Sequence, residues 1–179
     1  MAKGQAERLF ALLGEALAEA GAVYADLSAI ACGIGPGSFT GLRVAVAAAR
    51  GLALARGIPA VGVTGFEALA EGHDGPALRA LPAPRGAAFV QEGPGGAPRL
   101  LEPGETAAPP DGGVLIARPG EAAHLPGPRI PPAFPVAEAV ARVAARRLAA
   151  GDPGPRPAPL YLRAADAAPP RQAAPRIVP

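Results

Sequence analysis

Gly33-Ile34-Gly35-Pro36-Gly37-Ser38-Phe39-Thr40-Gly41-Leu42-Arg43 is the stretch on which the reading of the chain turns. Before it, Leu27–Cys32 is a short apolar run that predicts a buried strand. After it, the Ala-rich run Leu42–Ala55, with Arg43, Arg50 and Arg56 spaced along it, predicts a helix. Glycines allow the chain to turn at positive φ or to approach other atoms closely. Ser38 or Thr40 can cap the first N–H groups of the helix. Strand, glycine turn and helix N-terminus together present backbone donors suited to an anion. A tight turn that binds nothing fits the same residues. No lysine follows Gly41, so this is not a P-loop, and three residues between Gly37 and Gly41 break the dinucleotide-binding spacing.

Outward from this stretch the first half reads as ordinary α/β sequence. Leu9, Leu12, Leu13, Ala16, Leu17 and Ala20 form one apolar stripe, so Gln5–Ala20 predicts an amphipathic helix stopped by Gly21. Phe10 lies off the stripe and widens it. Ala60–Val63 predicts a second strand, making a βαβ unit with parallel strands. Gly65–Ala70 opens a third helix with Thr64 as its N-cap, and Gly72–Pro76 reads as a linker. Beyond it the texture changes. Only Pro36 and Pro59 of the 24 prolines precede Pro76. Ala77–Leu81, Ala87–Gln91, Arg99–Leu101 and Val114–Ala117 predict short strands, with Pro82 and Pro84 limiting the first. Pro135–Ala150 predicts a last helix, and Asp152–Pro179 an extended tail anchored by Leu160-Tyr161-Leu162. The division is a lobe over 1–72 and a second, smaller, proline-rich lobe over 73–179.

Composition narrows the chemistry. Basic residues number 17 against 15 acidic ones, and all the basic ones but Lys3 are arginine, which reads as compositional bias rather than a nucleic-acid footprint. Seven arginines from Arg142 to Arg176 read as a solvated helix face and tail, with RNA phosphate as the alternative. Cys32 stands alone as a buried, inert thiol. No signal peptide or long apolar run occurs, which predicts a cytoplasmic protein with no membrane partner. His73 and His124 read as isolated loop residues, and no metal site is expected. Asp26, Glu67 and Asp74 read as caps or surface charge.

Gly35-Pro36-Gly37-Ser38-Phe39-Thr40-Gly41-Leu42-Arg43, then Gly51-Leu52-Ala53-Leu54 and Ile58-Pro59-Ala60-Val61-Gly62-Val63, resemble the TsaB (YeaZ-type, glycoprotease-like) family of tRNA threonylcarbamoyladenosine biosynthesis proteins. The resemblance is strong over about 5–69, weak from about 72 to 132, and returns at Pro157–Arg163. It implies an α/β actin-like/RNase H-like (ASKHA-type) fold. It also implies a non-catalytic scaffold or dimerisation subunit of the tRNA N6-threonylcarbamoyladenosine-forming complex. The implied partners are a TsaD-type catalytic subunit, a TsaE-type ATPase, a second copy of the chain as a homodimer, and tRNA through the complex. No cofactor of its own is implied, ATP being used by the partner complex. The implied interface lies on the first two helices, at Leu9, Phe10, Leu13, Leu17, Arg43, Ala47, Ala48 and Arg50. Gly35, Pro36, Gly37, Ser38, Phe39, Thr40 and Gly41 remain a possible anion contact, with no catalytic or metal residue. A stand-alone acyl- or phosphoryl-transfer enzyme using that loop is the alternative.

Two departures from the family carry expectations. Its members open with strands that this chain lacks, so the fold is expected to be N-terminally truncated, with Met1 an internal methionine of a longer frame. Leu27–Cys32 would then be an uncovered edge prone to pair with other chains. An Asp-Ala-Arg-like motif of the family is replaced here by Leu81-Pro82-Ala83-Pro84-Arg85-Gly86.

Overall fold

A computed structural model describes residues 5–163. It holds two sheets. The first is a parallel pair, β1 (Ile30–Gly35) and β2 (Ala60–Thr64). Helix α1 (Gln5–Glu19) precedes it, and α2 (Phe39–Arg56) joins the two strands as the βαβ pattern requires. Helix α3 (Gly65–Ala70) follows at once. The second sheet contains β3 (Ala77–Pro82), β4 (Ala88–Glu92), β5 (Arg99–Leu101), β6 (Val114–Ile116) and β7 (Arg129–Ile130). Their order is β5-β4-β3-β6-β7, with β3, β4 and β5 antiparallel neighbours and β6 and β7 parallel to β3 and to each other. Helix α4 (Val136–Ala149) returns to the first sheet.

The expected first strand lies three residues too early. Tyr24–Asp26 forms a 3-10 turn, closed by Val23 N–H donating to the Asp26 carboxylate at 2.9 Å. Pairing starts only where Ile30 N–H donates to Pro59 C=O at 2.9 Å. The strand then runs into the residues that read as turn, through Gly33 to Gly35. Its register slips between those two glycines, so Ile34 is an extra residue opposite β2. The remaining predicted elements lie within a few residues of their expected positions. Pro82 does not shorten β3: it still stands opposite Ala88, at the end of the ladder.

Period-2 alternation divides the second sheet between two cores. Leu78 and Ala80 of β3 and Ala88 and Val90 of β4 join Leu101 and Leu115 in one. Ala77, Leu81 and Phe89 face the other way, onto Phe66 and Leu69 of α3. A third cluster packs Val61 and Val63 against Ala139, Val140, Val143 and Ala144 of α4. Val46, Ala49 and Ala53 of α2 are buried where α2 packs on β1 and β2. Among the described residues of α1, none is buried.

Candidate functional site

The glycine stretch crosses from the end of β1 into the start of α2. Gly35 takes φ of 107°, and a Cβ there would come within 2.8 Å of Leu42 Cδ1 and 2.9 Å of Leu160 O, so conformation and space both require glycine. Ser38 is the N-cap, its hydroxyl accepting from Gly41 N–H at 3.4 Å, so α2 starts at Phe39 rather than at Leu42. The turn is thus short, and its hydroxyl serves the helix.

The chain beyond α4 completes this place. Leu160 N–H donates to Ile34 C=O at 2.7 Å, at the position where β1 slips against β2. The next side chain, Tyr161, stacks on Phe39 with ring centroids 4.8 Å apart. Arg43 lies over the other partner of that pair, 3.9 Å from the Phe39 centroid, and its Nε donates to Tyr161 Oη at 3.1 Å. Pro157, buried, reaches Gly62, where a Cβ would sit 3.4 Å from Pro157 Cα and 2.9 Å from Ile34 Cγ2. Pro36, Gly37, Ser38, Phe39 and Thr40 thereby form one wall of a cleft of about 590 Å³. Pro82 and Phe89 of the second sheet, with Ala83 and Pro84 of the link between β3 and β4, form the opposite wall, and Leu160–Arg163 closes an end.

Of the residues singled out in the glycine stretch, Gly35 and Gly41 shape the turn, while the five from Pro36 to Thr40 line the cleft. Leu9, Leu13 and Leu17 sit half-buried on α1, and Phe10 is 53% exposed. On α2, Ala47 is exposed while Ala48 and Arg50 are half-buried. Arg43 serves the cleft through Phe39 and Tyr161. Cys32 is half-buried, and burial pushes its thiol pKa up, which keeps the sulfur protonated.

Several contacts lie beyond the reach of the sequence. Tyr161 meets Arg43 across 118 residues, and the expected anchor Leu160-Tyr161-Leu162 did not say what it would meet. Glu67 is a cap, as expected, accepting from Thr64 N–H, and it also pairs with Arg147, whose Nη1 donates to Gly62 C=O at 2.7 Å. Arg146, expected on a solvated face, forms a two-pronged bond to Glu71 with both distances 2.8 Å. His73 is no free loop residue, since its Nε2 is buried. The arginines beyond Arg163 and most of the predicted tail lie outside the described residues. Among the described residues no three His, Cys, Asp or Glu side chains gather as metal ligands. No helix there is long and apolar enough to cross a membrane.

The family model described as TsaD, tRNA N6-adenosine threonylcarbamoyltransferase, matches residues 1–86. A solved structure of YeaZ from Pseudomonas aeruginosa superposes with a TM-score of 0.68 at 25% identity, covering 89% of this chain and 86% of that one. An uncharacterised protein of Mycobacterium tuberculosis is 34% identical over 168 residues, 94% of this chain and 79% of that protein. The chain belongs to the TsaB (YeaZ) family. The tRNA threonylcarbamoyladenosine biosynthesis protein TsaB of Escherichia coli is 38% identical over 66 residues, 37% of this chain and 29% of that protein. The α/β fold is the actin-like/RNase H-like fold of these TsaB-family neighbours.

Proposed function

We propose that the chain is an accessory subunit of tRNA N6-threonylcarbamoyladenosine formation, which scaffolds and activates a TsaD-type transferase. The observation that carries this reading is the outward apolar surface of the first two helices. The stripe Leu9, Leu13 and Leu17 on α1 is not buried by the rest of the described chain, and Phe10 beside it is 53% exposed. On α2, Ala47, Gly51 and Leu54 lie at helical spacing on the face opposite Val46, Ala49 and Ala53. Leu54 is 80% exposed. Small residues on this face let another helix come close, and apolar surface left in water is the usual mark of a protein contact. The matches to TsaB and to the TsaD family model say which partner to try first. A TsaE-type ATPase joins the assembly in this reading, ATP is spent by the partners, and a second copy can occupy the same face when the transferase is absent. The lobes over 1–72 and 73–179 then divide the work, the first carrying the contact.

Co-purification with a TsaD-type subunit, followed by tRNA modification in vitro with and without this chain, tests the proposal. Ala47→Arg and Leu54→Arg are expected to abolish pairing and activation while circular dichroism stays unchanged. A charged side chain trapped between packed helices is uncompensated there and costs several kcal/mol. Ala48 is a poorer site, because it is half-buried within the chain itself. Wild-type pairing by both variants would overturn the reading. So would robust hydrolysis by the isolated chain that Ser38→Ala abolishes.

A further inference from the structure

Arg79 occupies a position that the fold otherwise reserves for apolar side chains. It lies between Ala77 and Leu81 on the face of β3 that packs toward α3, and it is only 8% exposed. Burying a guanidinium is costly unless its charge and its donors are answered. Here they are answered in part. Nη1 donates to Gln91 Oε1 at 3.3 Å and to Gly93 C=O at 3.0 Å, both neutral acceptors. Gln91 is its direct partner across the β3–β4 ladder and is itself held by donation to Gly96 C=O at 2.9 Å. Nε is buried without a partner, and no hydrogen bond engages Nη2 among the described residues.

Two of the three acids that line the place are already taken. Glu67 accepts from Thr64 and from Arg147. Glu71 gives both oxygens to Arg146, and that bond lowers its carboxyl pKa below the usual value. Neither forms an ion pair with Arg79. All of these groups surround one open cavity of about 730 Å³ between α3, α4 and the β3–β4 ladder. His73 lines the same cavity, and its buried Nε2 is a second nitrogen without a partner. A cavity with a buried cation that no carboxylate contacts directly, and with two of its three carboxylates bonded to Arg146 and Arg147, suits an anion rather than a metal ion.

We infer that this cavity is a binding site for a small oxyanion, a carboxylate or a single phosphate group, which docks on the free side of the Arg79 guanidinium. Its Nη2, which no described residue bonds and which is not shut off as Nε is, offers a charge-assisted donor to an oxygen of such a group. Glu67, Glu71 and Asp74 line the cavity as well, so a polyphosphate would meet three like charges that a smaller, less charged group can avoid. The site is separate from the cleft at Pro36–Thr40 and shares no lining residue with it. It stands or falls independently of any partner on α1 and α2.

The test uses the full chain with two probes, inorganic phosphate and acetate, each against chloride at matched ionic strength. Thermal midpoints report binding, and the Arg79 Nε–Hε resonance, assigned by its disappearance in Arg79→Lys, reports the place. One or both oxyanions are expected to raise the midpoint and move that resonance, where chloride does neither. Arg79→Gln is expected to weaken binding by about tenfold or more, the usual loss when a charge-assisted bond is removed. A shift with phosphate alone assigns a phosphate group, and a shift with acetate assigns a carboxylate. If neither probe moves the Arg79 resonance, or if folded Arg79→Gln binds as the wild type does, the inference is overturned. If Arg79→Gln fails to fold, the wild-type resonance decides alone.

Discussion

β1 with β2 and β6 with β7 are both parallel pairs, yet the chain joins them in opposite ways. The first link is α2, whose 18 residues satisfy their own backbone and leave one face outward. The second link, residues 117–128, has no regular helix. Its carbonyls need outside donors, and Arg129 supplies them, bonding Glu121, Ala122 and Leu125 C=O at 2.9, 3.0 and 3.2 Å. In return Ala122 and Leu125 point into the core of the second sheet. A parallel pair therefore does not require a helical crossover. A helical link leaves surface to spare, and a looped link consumes its side chains in packing. The outward apolar surface of this protein accordingly lies on the helical half.

The sharpest way to break this contrast is in the shared core. Phe66 on α3 is fully buried against the second sheet, and Phe66→Ala is expected to cost about 3–5 kcal/mol in denaturant unfolding. A much smaller loss would mean that the sheets do not depend on α3 to pack together. The docked tail comes next. Tyr161→Ala removes the stack on Phe39 and the acceptor for Arg43, and is expected to cost roughly 1 kcal/mol. Limited proteolysis checks it: cleavage after Gly151 should quicken, and an unchanged pattern would show that the stack does not hold the tail.

Glu71→Gln is expected to cost no more than about 1 kcal/mol at neutral pH, because Arg146 is 64% exposed and water screens the pair. The sign with pH follows from the lowered carboxyl. This stabilisation is complete above the ordinary value of 4.5 and is lost as pH falls through the lower value in the folded chain. Wild type and Glu71→Gln should therefore converge in acid, and a gap that persists there would point to lost packing instead. The smallest effect is expected at Leu54. Leu54→Ala, at a side chain 80% exposed, should change stability by less than about 0.5 kcal/mol while weakening subunit pairing. A large stability loss would mean that this face already serves the fold.

What the sequence made legible follows the range of the signal. The start of the third helix was readable because Thr64 and Glu67 cap it within four residues. The second sheet could be placed because its strands alternate locally between two cores. β1 was misplaced because its pairing is set by Pro59 across the crossover, and its glycines resemble a turn from either side. β7, two residues long, has no period to detect. At the cleft, the glycine wall was visible, while Phe89 and Tyr161 depend on register and on a distant docking that no local pattern encodes. No local pattern marks Arg79 either. Its burial depends on which face of β3 meets α3.

The bond from Leu160 to Ile34 also fixes an order of events during synthesis. The glycine wall emerges from the ribosome with the first third of the chain, whereas Tyr161, which closes its end, follows Arg43 by 118 residues. Until that last segment is made, Phe39 and the Ile34 carbonyl face water, and the cleft lacks one end. The helical surface proposed for pairing carries no such debt, since α1 and α2 are complete by Arg56. A nascent chain can thus present its pairing helices well before its cleft is closed, and a ribosome-stalled fragment ending after α4 would separate the two.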